Sequence, residues 1–176
     1  MEIPVDLRNL LLQLTPQQLR FFACDSAEHV LPFFERYRTT DQRPRLAIEA
    51  ARQYAFGRIS IVQLRSAAGD AEGAAWEAAE DQQDIHTLDY SNEAIAATAA
   101  TAEGCCYPDP YIAAEAAANT AIEVVVTAAI GVRAASVVWG HYQEELEPEL
   151  LQQYRTAEAL ERAWQRNRAQ FYLIQS

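Results

Sequence analysis

The sequence predicts an all-α protein, with one domain over residues 1–176 folded as a bundle of about six or seven helices. Half of the residues are hydrophobic, and many of these are alanine, which favours helices and lets them pack closely. Only six glycines are present, and no Asn-Gly or Asp-Gly pair separates alternating strands. The β-branched run at 122–127 is interpreted as buried helix, with a strand as the alternative. A short α-solenoid is the alternative architecture, although no repeat of fixed period occurs.

The second element carries the clearest helix signals, after a short apolar element at 5–14. Thr15 can cap a helix that has Pro16 at its first position and Gln18 placed for a capping box. Pro32 is expected to kink or restart this helix, because its ring removes a hydrogen-bond donor and crowds the preceding turn. Apolar residues at helical spacing predict one buried face, formed by Leu19, Phe22, Ala23, Ala27, Val30, Leu31 and Phe34.

Two further helices are predicted in the first half of the chain. Asp41 can cap the third helix, and Gly57 ends it. Ser60 opens the fourth helix with a second capping box. Gly69 and Gly73 lie one turn apart in this helix and are expected to permit a close helix crossing, with a break in the helix as the alternative. The predicted buried face of the third helix consists of Leu46, Ala47, Ala50, Ala51 and Tyr54.

Three helices are predicted in the second half. A small-residue helix at 93–103 stops at a glycine, and two prolines then break the chain at 105–110. Asp109 caps a long helix at 111–141, which is apolar on nearly every side and therefore belongs at the centre of the bundle. Pro148 starts the last helix. Its predicted buried side consists of Leu151, Tyr154, Ala157, Leu160, Trp164 and Phe171.

Charged residues of the second and third helices predict a partly buried ion-pair network. Asp25 and Glu28 are expected to pair with Arg20, Arg43 and Arg52. Such a network is structural, because it fixes how the two helices pack. Replacement of Arg43 or Asp25 by alanine is expected to lower the free energy of unfolding by more than about 2 kcal/mol.

The net charge of −11 is unevenly distributed, and all fourteen basic residues are arginine. Residues 59–115 hold one arginine and eleven acidic residues, a net charge of −10. This excludes nucleic-acid binding through counterion release, which needs a basic face. An acidic surface can instead attract a basic protein. We predict a partner-binding stripe at helical spacing, with a solvated helix face as the alternative, formed by Glu77, Glu80, Asp81 and Asp84.

The sequence gives little support for catalysis, a metal site or a cofactor. None of the histidines at 29, 86 and 141 has a recognised ligand spacing. Cys105 and Cys106 are adjacent and form no CxxC motif, so a structural role is favoured. We therefore predict a protein that is not an enzyme. The alternative is a small-molecule-binding or enzymatic helical protein, for which the residues to test are Cys24, His29 and Tyr54.

The N-terminus and the cysteine count predict a cytoplasmic protein. The first residues, MEIPVDL, carry an acid at the second position and no basic region before an apolar run, so no signal peptide is expected. No stretch is expected to span a membrane. Three cysteines cannot all pair within one chain, which fits a reducing compartment.

The first third of the chain resembles the start of the bacterial Imm5-like immunity proteins. The residues that carry the resemblance are Leu14-Thr15-Pro16, Phe22-Ala23-Cys24-Asp25, Ala27-Glu28-His29-Val30-Leu31-Pro32, Asp41-Gln42-Arg43-Pro44 and Ala47-Ile48-Glu49-Ala50-Ala51-Arg52. These relatives are alanine-rich helical proteins assigned, mainly from gene neighbourhood, to the neutralisation of toxins. Ser26 stands where the family pattern has a second cysteine.

The resemblance implies an immunity protein that binds and neutralises a bacterial toxin by protein–protein interaction. If the acidic stripe is the contact surface, the toxin is basic. The alternative is a helical scaffold or adaptor module without catalytic activity.

Overall fold

A computed structural model describes residues 3–80, 91–130 and 148–175, and within them the chain forms seven α-helices and no strand. The all-α prediction is therefore confirmed, and the run at 122–127 is helical. The helices are α1 (Val5–Leu11), α2 (Pro16–Glu35), α3 (Arg43–Ala55), α4 (Ile61–Glu80), α5 (Ser91–Gly104), α6 (Pro110–Ile130) and α7 (Pro148–Ile174).

Helix α2 lies at the centre of a bundle. It packs against α3, α5, α6 and α7, and its most extensive contact is with α6. In a solenoid each repeat contacts only its neighbours in the chain, so the contact between α2 and α6 identifies the architecture as a bundle. The predicted buried face of α2 is confirmed at all seven positions.

The core combines a few large side chains with many alanines. Phe22, Phe34, Leu31 and Leu64 are fully or almost fully buried. Their neighbours on α5 and α6 are mostly small, which lets these two helices approach each other and α2 closely. The fully buried alanines of α5 and α6 are Ala99, Ala102, Ala113, Ala114, Ala117, Ala118 and Ala121.

The predicted helix caps at Thr15 and Ser60 are confirmed. The Thr15 hydroxyl accepts from the Gln18 N–H at 3.3 Å, and the Gln18 side chain accepts from the Thr15 N–H at 2.8 Å. Ser60 and Gln63 form the same reciprocal pair at the start of α4. Each pair satisfies two backbone donors that a helix start leaves without intrahelical partners.

The breaks after α3 and α5 also match the prediction. Gly57 follows α3 with a φ of +68°, a conformation that glycine adopts without steric cost. Asp109 caps α6, since its Oδ1 accepts from the N–H groups of Tyr111 at 2.8 Å and Ile112 at 2.9 Å.

Helix α2 does not restart at Pro32 but continues to Glu35. Pro32 cannot bond the carbonyl of Glu28, four residues earlier. Both residues lie on the exposed side of α2, where water can satisfy that carbonyl. The helix therefore tolerates the proline. At the start of α3, Gln42 rather than Asp41 is the capping residue, although Asp41 Oδ1 still accepts from the N–H of Arg43 at 3.1 Å.

Three residues predicted to be buried are exposed. Leu46 is 53%, Leu160 68% and Phe171 41% exposed. In α3 the helix turns Ile48 inward instead of Leu46. In α7 the inward side is partly polar, because buried side chains there bond to other helices. The buried residues of α7 are Tyr154, Glu161, Arg162, Gln165 and Ala169.

The close helix crossing predicted at two glycines of α4 is wrong. Among the described residues, a Cβ placed on Gly69 would meet nothing within 4 Å, and one on Gly73 would lie 3.5 Å from the side chain of Arg43. Of the four described glycines, the closely packed one is Gly104, where a Cβ would lie 3.4 Å from the Cβ of Ala116. The tight crossing is therefore between α5 and α6.

Within the described part of the chain, one helical segment, Pro110–Ala129 in α6, is long and apolar enough to cross a membrane, with a mean hydropathy of 1.3. The sequence-based expectation did not foresee such a segment. Half of it is buried inside the bundle, where α6 contacts α2, α5 and α7. A central bundle helix and a membrane span share this length and composition.

Candidate functional site

The C-terminal half of α4 presents an exposed acidic surface with a tryptophan at its centre. Trp76 is 64% exposed. Glu72 precedes it by four residues and Glu80 follows it by four, so both lie beside it on one helix face. Glu77, next in the chain, has a side chain that is 57% exposed. We call these four residues the α4 surface. The other two residues of the predicted stripe, Asp81 and Asp84, lie outside the described residues.

Glu77 is held by an arginine of another helix. Arg43 donates from Nη1 to Glu77 Oε1 at 2.9 Å, and from Nη2 to Asp41 Oδ2 at 2.7 Å. These hydrogen bonds lower the pKa of both carboxyls and raise the pKa of Arg43. One arginine thus joins the start of α3 to the end of α4, and Glu77 is less available to a partner than its exposure suggests.

Negative charge extends from α4 to the end of α5. Partial burial, and then the nearby charge of Glu72, raise the pKa of Glu103. The pKa of Tyr107 is raised by burial and by the same two carboxylates. The carboxylates of Glu72 and Glu103 thus create a negative potential on this side of α4, one helix turn from Trp76.

A second charged cluster lies around Asp25, which is 5% exposed in the middle of α2. Arg52 of α3 donates to its Oδ1 at 2.9 Å, and Arg168 and Tyr172 of α7 both donate to its Oδ2. Arg52 also pairs with the half-exposed Glu28. Asp25 therefore fastens three helices at one point.

The pKa shifts of its partners follow from this arrangement. Burial alone would lower the pKa of Arg52, but the charges of Asp25 and Glu28 outweigh it and raise that pKa. Burial and the hydrogen bond to Asp25 raise the pKa of Tyr172. Both shifts keep the arginine charged and the phenol neutral near pH 7, which preserves the cluster.

Two of the five residues predicted for this network, Arg20 and Arg43, lie elsewhere. Arg20 precedes Asp25 by five residues, so the two side chains point about 140° apart around α2. Arg43 lies nine residues before Arg52, about 13 Å further along the axis of α3. The structure instead supplies Arg168 and Tyr172, which the sequence-based reasoning missed. Their spacing of four residues on one face of α7 was the available signal.

The side chain of Arg20, a residue of α2, is buried against the turn between α5 and α6. It is 2% exposed, and its guanidinium donates to the backbone oxygens of Cys105, Tyr107 and Pro108. Its Cζ also lies 5.6 Å from the ring centroid of Tyr54. The arginine thereby satisfies three carbonyls that no helix pairs in the proline-rich turn.

A polar set between α2 and α7, in which Glu161 and Gln165 are buried and His29 is partly exposed, was also missed. His29 stacks on Trp164 with 4.0 Å between ring centroids, and its Nε2 lies 3.2 Å from Oε2 of the buried Glu161. Gln165 donates to the other Glu161 oxygen at 3.0 Å and to the Ala118 carbonyl at 2.9 Å. These contacts explain why α7 turns polar residues inward.

The residues of the enzymatic alternative do not come together. The Cys24 thiol lies 3.8 Å from the Ile48 carbonyl, His29 faces α7, and Tyr54 lies over Arg20. The three cysteines at 24, 105 and 106 are free and buried. Contacts with the other two thiols, together with burial, raise the pKa of Cys105, which keeps it unreactive.

Among residues 3–80, 91–130 and 148–175, no group of three or more His, Cys, Asp or Glu side chains could hold a metal ion. Two of the three histidines considered as ligands, His86 and His141, lie outside these ranges.

The α4 surface and Asp25 itself both lie in a segment that matches a known family. The family model described as Imm-5 like putative immunity protein matches residues 9–105, more than half of the 176 residues. The chain belongs to this family. No curated protein and no solved structure matches it. The immunity-family match includes α2 to α5 and ends before α6 and α7.

Proposed function

We propose that this immunity-family protein neutralises a bacterial toxin by binding it, without a catalytic step, and that the toxin contacts the α4 surface. The observation that carries the proposal is Trp76, 64% exposed between Glu72 and Glu80. A bundle has a strong hydrophobic reason to bury a tryptophan, and exposed tryptophans are frequent energetic centres of protein interfaces.

The charge of the surface selects a basic partner. The chain has a net charge of −11, and residues 59–115, which contain α4, have a net charge of −10. Complementary potentials raise association rates by about 10- to 1000-fold at low salt. A basic toxin would therefore be captured rapidly, before it reached its own target.

We further propose that the complex forms in the cytoplasm of the producing cell. Three free cysteines inside the core are compatible with a reducing compartment. A toxin that must be held inactive until it leaves its producer needs its inhibitor in the compartment where the toxin is made.

The first experiment recovers the tagged protein from its native cells at low salt and at about 0.5 M salt, where charges are screened beyond about 4 Å. Mass spectrometry identifies the bound proteins. The proposal expects one stoichiometric basic partner that is toxic when expressed alone and harmless when co-expressed with this chain.

Two variants then locate the contact. Trp76→Ala is expected to weaken the complex by about 30-fold or more, the usual effect at an interface centre. The matched control is Leu160→Ala, since Leu160 is 68% exposed on α7 and should not change affinity. Glu72→Gln with Glu80→Gln should slow association and reduce its salt dependence.

The outcomes separate the alternatives. If several unrelated proteins bind weakly and salt has no effect, the chain is a scaffold rather than a toxin inhibitor. If a single toxin binds and Trp76→Ala leaves affinity unchanged, the toxin uses another surface, and the role assigned to α4 is wrong.

A further inference from the structure

A groove of about 480 Å³ lies on a part of the molecule that the proposed toxin contact does not use. The start of α2, the end of α3 and the turn between α5 and α6 form its walls. Its lining includes Pro16, Arg20, Tyr54, Pro108 and Pro110. The volume lies in the range of about 300–1000 Å³ that is typical of small-molecule sites.

Arg20 gives this groove a positive charge, and among the described residues no acidic side chain forms an ion pair with it. Within the described residues, its contacts are three backbone carbonyl oxygens and the ring of Tyr54. None of these partners carries a negative charge. A buried cation normally has a counter-ion, because removing a charge from water is costly. The missing counter-ion indicates that an anion can bind here.

The hydrogen bonds of Arg20 leave suitable donors. A guanidinium has five N–H groups. Nη1 donates to Cys105 and Tyr107, and Nη2 donates once, to Pro108 at 2.9 Å. One N–H on Nη2 and the Nε–H remain. Donors on these neighbouring nitrogens match the two oxygens of one carboxylate, which arginine binds bidentately.

The remaining lining carries no acid and, apart from Gln17, is largely apolar. Prolines 16, 108 and 110 and the ring of Tyr54 lie beside the arginine. Asp109 stands between two of these prolines in the sequence but does not line the groove, and its Oδ1 accepts from two N–H groups of α6. The chain has 25 acidic residues and 14 arginines, so its average charge is negative. A groove lined by an arginine and no carboxylate differs from that average.

We propose that this groove binds a small organic carboxylate with an apolar or aromatic body. The carboxylate pairs with Arg20, and the body lies against Tyr54 and the prolines. Binding is non-covalent and reversible. The inference does not depend on the toxin partner, because the groove and the α4 surface consist of different residues.

The test is a titration of the ¹⁵N-labelled protein, followed by NMR, with acetate, phenylacetate and neutral phenylacetamide. Phenylacetate is expected to shift the amide resonances of Gln17, Tyr54 and Gly57 saturably, with a Kd of about 1 mM or lower. Phenylacetamide has the same body without the charge and should bind at least about tenfold more weakly. Acetate should bind more weakly than phenylacetate, because it lacks the apolar body.

Two variants and one control locate the site. Ala55 also lines the groove, so Ala55→Phe should fill it, leave Arg20 in place and abolish binding. Arg20→Gln removes the charge and should do the same. Arg45→Gln is the control, because Arg45 pairs with Glu35 on an exposed part of α3 and should leave binding unchanged.

Three results would overturn the proposal. The first would be that neither carboxylate shifts the groove resonances. The second would be that phenylacetamide binds as tightly as phenylacetate. The third would be that a folded Ala55→Phe protein binds phenylacetate like the unaltered chain. If Arg20→Gln does not fold, the comparison of acid with amide on the unaltered protein still decides whether the charge is recognised.

Discussion

Arg168 of α7 donates from its Nε to Oδ2 of Asp25 in α2, although the two residues are 143 positions apart. Asp25 lies in the segment that matches the immunity family, and Arg168 lies beyond it. The cluster therefore fastens the C-terminal helix to the family-matched part of the bundle. Since α7 also buries several polar residues, this ion pair helps to fix which side of α7 faces inward.

Asp25→Ala is expected to lower the free energy of unfolding by about 2–3 kcal/mol, because it leaves Arg168 without its carboxylate and Arg52 with Glu28 alone. The full cost of a broken buried pair is larger, but both arginines are about one-third exposed, and water compensates part of it. Urea denaturation measures the change. Asp6→Ala is the control, since the pair of Asp6 with Arg166 is largely exposed. Equal losses of unfolding free energy in both variants would show that Asp25 contributes no more to stability than a residue of an exposed ion pair.

Arg43→Ala should cost less than the sequence alone suggests. The Arg43 side chain is 32% exposed and that of Glu77 57% exposed, so solvent screens the pair. We expect a loss of about 1 kcal/mol or less, rather than the more than 2 kcal/mol expected from a buried network. Urea denaturation beside Asp25→Ala tests the ranking. If Arg43→Ala costs as much as Asp25→Ala, the pairing with Asp41 and Glu77 is stronger than its exposure indicates.

Local signals in the sequence predicted much of the fold. The cap at Thr15, the end of α3 at Gly57 and the buried face of α2 depend on residues close in the chain, so periodicity and turn chemistry reveal them. The same signals placed Leu160 and Phe171 inside. The inward side of α7 depends on contacts with His29 and Asp25, which lie more than a hundred residues earlier in the chain. No local pattern contains such contacts.

The candidate site was predictable in part for the same reason. Helical spacing placed Glu77 and Glu80 on exposed positions of one helix. It did not reveal that Arg43 holds Glu77, because that contact links two helices. Nor did it reveal that Arg20 turns away from Asp25 towards the carbonyls of the α5–α6 turn.

Glu103→Gln is expected to raise the melting temperature at pH 7. Burial and the charge of Glu72 raise the pKa of Glu103 in the folded state. Folding therefore disfavours the ionised form of Glu103, and the protein loses stability as pH rises through the folded-state pKa of this carboxyl. Below the ordinary value of 4.5 the carboxyl is protonated in both states. The gain should thus shrink when melting is measured at pH 4.

Glu77→Gln provides a control of opposite sign. The hydrogen bond from Arg43 lowers the pKa of Glu77, so ionised Glu77 stabilises the fold above its ordinary value of 4.5, and this stabilisation is lost as pH falls through the lowered pKa. This variant should lower the melting temperature at pH 7, and its effect should diminish in acid. If both variants shift the melting temperature in one direction, the electrostatic assignment is wrong.

Two glycine substitutions should change stability in opposite directions. Gly69 lies inside α4, and in the part of the chain that the structure describes a Cβ there meets nothing within 4 Å. Gly69→Ala should therefore raise the free energy of unfolding by about 1 kcal/mol, the helix propensity difference. Gly57 is equally open, but its φ is +68°, so Gly57→Ala should lower the free energy of unfolding by about 1–2 kcal/mol through backbone strain alone. Urea denaturation of both variants measures the contrast. A loss of stability in Gly69→Ala would mean that another segment of the chain packs against this face of α4.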